Sequence, residues 1–373
     1  MHLLRATQAV VDLDALHNNV RIVRAAAGDK TDVMAVIKAD AYGHGAVAMM
    51  GYLREMGVGR FAVASLNEAC ELLRAWPDGN VLILGHTPDV LLPDAAELGA
   101  ALTIFSLRQA RILSETGRDV RIHIKLDTGM HRLGFMPDEQ SLAEVVQIYS
   151  LPHIHVEGIY SHLALRDRQS DLEQLARFTA FTRGMEQHGL PLPLRHLCDG
   201  LGTCRYPEMR LDMVRPGGAL YGYGEFPGLT PVLTLHSTVA SLRRVPAGEG
   251  LGYDLLDPAP RERLIATLPF GYCDGPPRAL SRGVGYVVIR GQKAPYAGLL
   301  CMDMCMADVT DIEGVREGDD VVVLGAPSPA LSFADAAALL QMNRNEIFGK
   351  ISRRVPRVYT RDGATVCAND YSL

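Results

Sequence analysis

The sequence predicts an α/β protein: an N-terminal (β/α)8 barrel of the TIM type, followed by a mainly β C-terminal domain. Two observations carry this. Over the first 225 residues, eight short apolar runs alternate with amphipathic stretches; past Glu225-Phe226-Pro227-Gly228 the alternation gives way to β-rich runs joined by close turns. Eight strand–helix repeats point to a closed barrel, with a doubly wound sheet as the runner-up. At 373 residues, 48% hydrophobic and 21% charged, the sequence can bury a sizeable core and is long enough for two domains.

The eight runs are Val33–Ile37, Phe61–Ala64, Val81–Leu84, Leu102–Phe105, Arg121–Leu126, Ile154–Ser161, Arg195–Cys198 and Leu211–Val214. Short apolar runs bounded by turn residues read as buried strands. Asp89–Leu98, Leu107–Glu115 and Leu172–His188 between them read as helices. Beyond the change of character, Val232–Arg244, Leu264–Pro269, Val284–Ile289, Met306–Val309 and Val321–Leu324 read as β, and only Phe333–Leu340 and Asn345–Ile351 as helix. The expected division is a barrel over 1–230 and a mainly β domain over 231–373.

The net charge of −6, with acids and bases mixed along the sequence, argues against a nucleic-acid or anionic-membrane surface. His2, Arg5, Asp12 and Asp14 interrupt the N-terminus, so no secretory signal is legible, and no stretch approaches the length of a membrane span. A cytoplasmic location is expected. The seven cysteines are odd in number and scattered, which implies no disulfide framework. Cys301-x-x-x-Cys305 lacks a second ligand pair at zinc spacing, so no metal is expected.

A barrel builds its active site from the carboxyl ends of its strands. Those ends hold Lys38, Asp127-Thr128-Gly129, Ser161-His162, Asp199-Gly200 and Arg215-Pro216-Gly217-Gly218. Lys38 closes the run Val33–Ile37 and opens Ala39-Asp40-Ala41-Tyr42-Gly43-His44-Gly45. Burial at such a rim lowers a lysine pKa and favours a neutral nucleophile or a Schiff base.

These residues occur within motifs whose order is specific. They are Val36-Ile37-Lys38-Ala39-Asp40-Ala41-Tyr42-Gly43-His44-Gly45, Lys125-Leu126-Asp127-Thr128-Gly129-Met130-His131-Arg132-Leu133-Gly134 and Tyr160-Ser161-His162, then Val214-Arg215-Pro216-Gly217-Gly218-Ala219-Leu220-Tyr221-Gly222, Gly252-Tyr253, Gly271-Tyr272-Cys273-Asp274-Gly275 and Cys301-Met302-Asp303. Across nearly its whole length the sequence resembles the alanine racemase family, fold-type III pyridoxal-phosphate enzymes.

The resemblance implies a homodimer that interconverts L- and D-alanine with pyridoxal 5'-phosphate, the active site being shared between subunits. Lys38 would carry the cofactor and act as base on one face of Cα, and Tyr253 as base on the other. Arg215 would donate to the pyridine nitrogen, His162 would lie at the ring, and Tyr42, Gly200, Gly217, Gly218 and Arg353 would serve the cofactor. Arg132 and the backbone of Met302 would hold the substrate carboxylate; Lys125 matches a lysine that is often carbamylated. The sequence departs from the family at Asp199-Gly200, where Asn-Ser is usual, and at Arg353, where a tyrosine is common. Met130–Gly134, Tyr206–Glu208 and Gly271–Arg278 also look like the racemase domain of vancomycin-resistance serine racemases. A serine or broad-specificity racemase is therefore the alternative, and a fold-type III decarboxylase a more distant one.

Overall fold

The structure, a computed structural model, describes residues 3–325 and 328–371. Residues 1, 2, 326, 327, 372 and 373 of the expected domain ranges lie outside the described residues. Contacts divide the protein into two units. One comprises His17–Ala41 and Ala46–Leu229; the other comprises the stretch up to Leu16, Tyr42–Gly45 and everything from Thr230 onward.

A first strand, β1 (Gln8–Asp12), precedes the barrel. The barrel strands are β2 (Asp32–Val36), β3 (Arg60–Val63), β4 (Val81–Ile83), β5 (Ala101–Ile104), β6 (Val120–Lys125), β7 (Ile154–Tyr160), β8 (Leu194–Asp199) and β9 (Met213–Arg215). Each is parallel to the next, and β9 closes onto β2 through Asp32↔Met213 and Val33↔Val214. Closure excludes the doubly wound alternative and bears out the predicted fold class. Helix starts follow local capping chemistry: the side chains of Ser106, Asp138 and Asp167 accept from the amides of Gln109, Ser141 and Ser170. The Asp167 cap starts the helix Arg168–Gln187 four residues before the expected Leu172.

The barrel interior is more polar than the usual layers of branched apolar side chains. Thr103, His123, Lys125, Tyr160, His196 and Arg215 are all buried. Room for them is made by a bulge: Ile122 pairs with Val156, but His123 pairs with Gly158, leaving Glu157 as the extra residue of β7. A Cβ at Gly158 would stand 2.1 Å from His123 Nδ1. Gly158→Ala should therefore overpack the barrel and destabilise it by about 1–3 kcal/mol, read as a lower urea midpoint at unchanged slope.

In the other unit the strands are β10 (Leu233–Thr238), β11 (Ser241–Val245), β12 (Arg263–Leu268), β13 (Tyr286–Ile289), β14 (Gln292–Pro295), β15 (Cys305–Asp308), β16 (Asp320–Gly325), β17 (Arg357–Arg361) and β18 (Ala364–Asn369). They form a seven-stranded sheet in the order β14-β13-β16-β10-β1-β17-β18 and a three-stranded sheet β11-β12-β15. The expected single run Val232–Arg244 is two strands of different sheets, separated at Val239-Ala240. Strands β1, β14, β17 and β18 were not expected. The helices are Phe333–Leu340, as expected, and Arg344–Phe348. No helix among the described residues is long and apolar enough to cross a membrane.

Candidate active site

Lys38 begins a short helical segment, Lys38–Gly43, that is left-handed: Ala39, Asp40, Ala41 and Tyr42 have φ between 52° and 55°, and Gly43 has 81°. L-residues avoid this region at roughly 1–2 kcal/mol each and normally visit it singly. Four in succession persist only where surrounding bonds over-determine them. Glu68 supplies two, its Oε1 accepting from Ala39 N (2.6 Å) and its Oε2 from Ala64 N (2.7 Å). Asp40 Oδ1 accepts from Ala46 N at 2.9 Å. Within the other unit, Gly43 O accepts from Arg357 Nε (3.0 Å) and His44 O from the Tyr359 hydroxyl (2.9 Å). Arg357 is fully buried and also donates to the carbonyls of Ile351, Ser352 and Val355.

Four further groups from the strand ends share this unit with Lys38. Burial first, then the Arg132 charge, pulls the Lys38 amine below its ordinary value, with Glu68 and Asp199 opposing. Lys125, the last residue of β6, is held down to about 7 by burial and then Arg215; its Nζ donates to Leu126 O at 2.6 Å. Arg215, the last residue of β9, is buried. Its Nη2 donates to Ser161 O (2.8 Å) and Leu197 O (3.0 Å) and lies 3.3 Å from His162 Nδ1, while Nη1 meets His196 Nδ1 at 2.9 Å. The guanidinium stands 5.0 Å from the Tyr160 ring. Burial, then Arg215, drives His162 down to about 3, so it is a neutral acceptor at working pH. Arg132 is exposed on the loop after β6.

Asp199 is half-buried at the end of β8, and its charge acts on the Lys38 amine. It caps the one-and-a-half-turn helix Gly200–Arg205, with Oδ1 accepting from Gly202 N at 2.8 Å. Gly200 is packed close against the next loop, where a Cβ would meet Ala219 Cβ at 3.2 Å. Gly217 and Gly218 turn the chain tightly after Arg215, their carbonyls accepting from the amides of Leu220, Tyr221 and Tyr223.

Tyr42, Tyr253, Met302 and Arg353 lie in the other unit. Tyr42 is half-buried, and its carbonyl meets His44 Nδ1 at 2.9 Å. Tyr253 follows Gly252 (φ 60°) on a single 3₁₀ turn and is 68% exposed. Met302 is 51% exposed, and its carbonyl accepts from Cys273 N while that of Cys301 accepts from Tyr272 N. Gly271 is required at this crossing, since a Cβ would lie 2.3 Å from both acceptor oxygens. Arg353 is exposed, 5.2 Å from the ring of Tyr371. Beside it, the fully buried Asp274 pairs with Arg5 (2.5 Å) and Arg354 (3.0 Å). His123, Glu157, Tyr160 (quoted only within the motif Tyr160-Ser161-His162), His196 and Arg357 were given no role from the sequence. Within apolar runs the first four read as strand interior, and an arginine at a strand start reads as a solvated cap.

A half-buried amine just past the carboxyl end of β2, in a closed parallel eight-stranded barrel that also buries an arginine at the end of β9, is the arrangement of a barrel enzyme. The comparisons narrow the class. Residues 11–225 match the family model "Alanine racemase, N-terminal domain" and residues 232–359 "Alanine racemase, C-terminal domain". The protein is 37% identical to the alanine racemase of Clostridium tetani over 385 aligned positions, 99% of each chain, and 37% identical to that of Methanococcus maripaludis, over 94% of this chain and 98% of the other. It superposes on the alanine racemase of Clostridium difficile 630 with a TM-score of 0.95 at 30% identity, covering 100% of both chains. The alanine racemase of Bacillus anthracis with bound L-Ala-P gives 0.93 at 30% identity, over 100% of this chain and 99% of the other. The chain belongs to the alanine racemase family.

Proposed function

We infer that this protein is a pyridoxal-phosphate-dependent alanine racemase working by two bases, Lys38 and Tyr253. The observation that carries the reading is the Lys38 amine, lowered in pKa at the carboxyl end of β2 and followed by a left-handed turn, in a chain of this family. The residues fit the cofactor on two counts. Arg215 is a buried donor that no accessible pH deprotonates, suited to an acceptor nitrogen. The close packing of Gly200 on Ala219, beside the Gly217-Gly218 turn, brings backbone where a phosphate would be cradled. Asp199 has one carboxylate oxygen engaged by Gly202 N, which lessens its opposition to that anion. Bound pyridoxal phosphate supplies the electron sink that acidifies the substrate Cα–H bond.

The side chains divide the remaining work. Lys38 holds the cofactor and moves a proton on one face of Cα; Tyr253 moves it on the other. Arg215 would donate to the ring nitrogen, with His162 near Arg215 as a neutral group. Tyr42 and Arg353 bind phosphate; Arg132, whose planar fork suits a carboxylate, binds the substrate with the Met302 backbone. Residues 1–230 carry the cofactor and 231–373 the second base. Tyr253, Leu255, Met302 and Met304 are each at least half exposed, large apolar side chains of the kind a second protomer would cover. We place the enzyme in the cytoplasm as a homodimer with shared sites.

Lys125 with a pKa of about 7 is half neutral at neutral pH, the form that takes up carbon dioxide. A carbamate there would exchange a cation beside Arg132 for an anion. Carbon-13 NMR in labelled bicarbonate should show a carbamate signal that Lys125→Ala removes and that fades below pH 7. The function itself is tested by following chirality with alanine, serine and longer amino acids. A kcat/KM for serine above that for alanine would replace the substrate assignment with the serine racemase reading.

A further inference from the structure

The polar interior of the barrel continues past the strand ends to the opposite face. Arg215 Nη1 lies 2.9 Å from His196 Nδ1, and His196 Nε2 lies 2.8 Å from His123 Nδ1. His123 Nε2 faces Glu157 Oε2 at 3.6 Å. Glu157 Oε1 accepts from Arg60 Nη1 at 2.5 Å, and Arg60 Nε donates to Asp32 Oδ2 at 2.8 Å. Arg60 and Asp32 are the first residues of β3 and β2, so the line crosses the barrel from carboxyl to amino ends.

The proton positions along this line follow from donor logic. Arginine only donates, so in the 2.9 Å contact observed His196 Nδ1 is the acceptor. Burial keeps both rings neutral, pulling His123 and His196 below their ordinary values. A neutral ring has one N–H, which places that of His196 on Nε2. His123 Nδ1 then accepts, and its own proton sits on Nε2, facing Glu157. The carboxylate is ionised, held to about 2 by His123 first and then Arg60 against the cost of burial. Its Oε2 is buried without a hydrogen-bond partner, with Arg121 Nη1 at 3.7 Å the other group facing it. The β7 bulge, which re-aims side chains, falls on Glu157, and Gly158 beside it leaves the space that the His123 ring fills.

We propose that Glu157 is a positioning residue for Arg215: from the amino-terminal face it selects the Nε2–H tautomer of His123, and through it that of His196, keeping His196 Nδ1 open as acceptor for the guanidinium. In the reverse orientation His196 Nδ1–H would oppose Arg215 Nη1–H, donor against donor, and displace the group proposed to face the cofactor ring. The inference rests on that proposed role of Arg215. Residues at the amino-terminal face of such barrels ordinarily serve stability; here one of them also sets the orientation of a group at the active face.

The test compares wild type, Glu157→Gln and Glu157→Asp as loaded enzymes. Glutamine is nearly isosteric but neutral, and its amide N–H can donate to His123 Nε2, which permits the reversed line. Aspartate keeps the charge. Histidine-selective nitrogen NMR reads the tautomers without turnover, so its outcome is independent of whether the substrate assignment is right. Wild type should show Nε2–H at both rings. Glu157→Gln should populate Nδ1–H at both, shift the visible absorbance of the bound cofactor and lower kcat by about 10- to 100-fold, as outer contacts of active groups typically do, with KM for alanine little changed. Glu157→Asp should keep the wild-type tautomers and recover most of kcat. Wild-type tautomers in Glu157→Gln, an unchanged kcat in that variant, or equal loss in the aspartate variant would each overturn the proposal. If Glu157→Gln does not fold, Nδ1–H at either ring of wild type, or altered tautomers in Glu157→Asp, overturns it equally.

Discussion

Lys38→Ala should abolish racemisation, with a fall of about 10⁴-fold or more, the upper end of what a positioned base contributes, together with the visible absorbance of lysine-bound cofactor. The side chain is half-buried, and the left-handed run begins only at Ala39, so alanine at 38 leaves the Glu68, Asp40 and Arg357 contacts of that turn in place. The unfolding midpoint should therefore barely move, which separates lost chemistry from lost structure. Lys38→Arg sharpens the point: it keeps the cation but cannot become the neutral nucleophile, and it should be as inactive as alanine. A small primary amine in the buffer should restore part of the alanine variant's rate and none of the arginine variant's. In the cofactor-free protein, burial and Arg132 lower the amine's pKa, so the neutral form that takes up the cofactor is gained, and the rate of cofactor loading rises, at a lower pH than for a free lysine. Substantial activity in either variant without added amine would remove Lys38 from the mechanism.

The barrel was legible because most of its strands are largely buried and read as mainly apolar runs, and the site because a polar or glycine residue at the end of such a run stands out. Lys38, Lys125 and Arg215 all carry that signal. What hid from the sequence depends on partners far away in it. Strand β1 has no local signature, since its place is made by β10 on one side and β17 on the other. Strand β17 opens with Arg357, whose charge suggests solvent, whereas four backbone carbonyls receive it in the interior. Glu157 likewise reads as a lapse in an apolar strand until the bulge turns it toward His123. Asp199 posed an electrostatic question that composition could not answer. Part of its answer is ordinary capping: one carboxylate oxygen accepts from an amide of its own helix.

Tyr253→Phe should lower racemisation by about 10²- to 10⁴-fold while the bound cofactor keeps its absorbance. The loss must be equal in both directions when measured as kcat/KM. Mirror-image substrates have equal free energy, so the ratio of forward to reverse kcat/KM stays at unity whatever residue is removed. The asymmetry appears instead in hydrogen exchange: one enantiomer should still trade its Cα hydrogen with heavy water through Lys38, without inverting, while the other should not. Because Tyr253 is 68% exposed, a shared site makes a further demand. Lys38→Ala and Tyr253→Phe, each inactive alone, should complement when unfolded together and refolded as a mixture. Random pairing gives half hybrid dimers, each with one site built from two intact residues, so the mixture should recover about a quarter of wild-type activity if the C2 partner supplies the tyrosine. A site completed within one protomer would leave every hybrid dead, because each protomer would keep its own defect. Failure to complement, with hybrid dimers demonstrated by mass, would therefore place both bases in the same subunit.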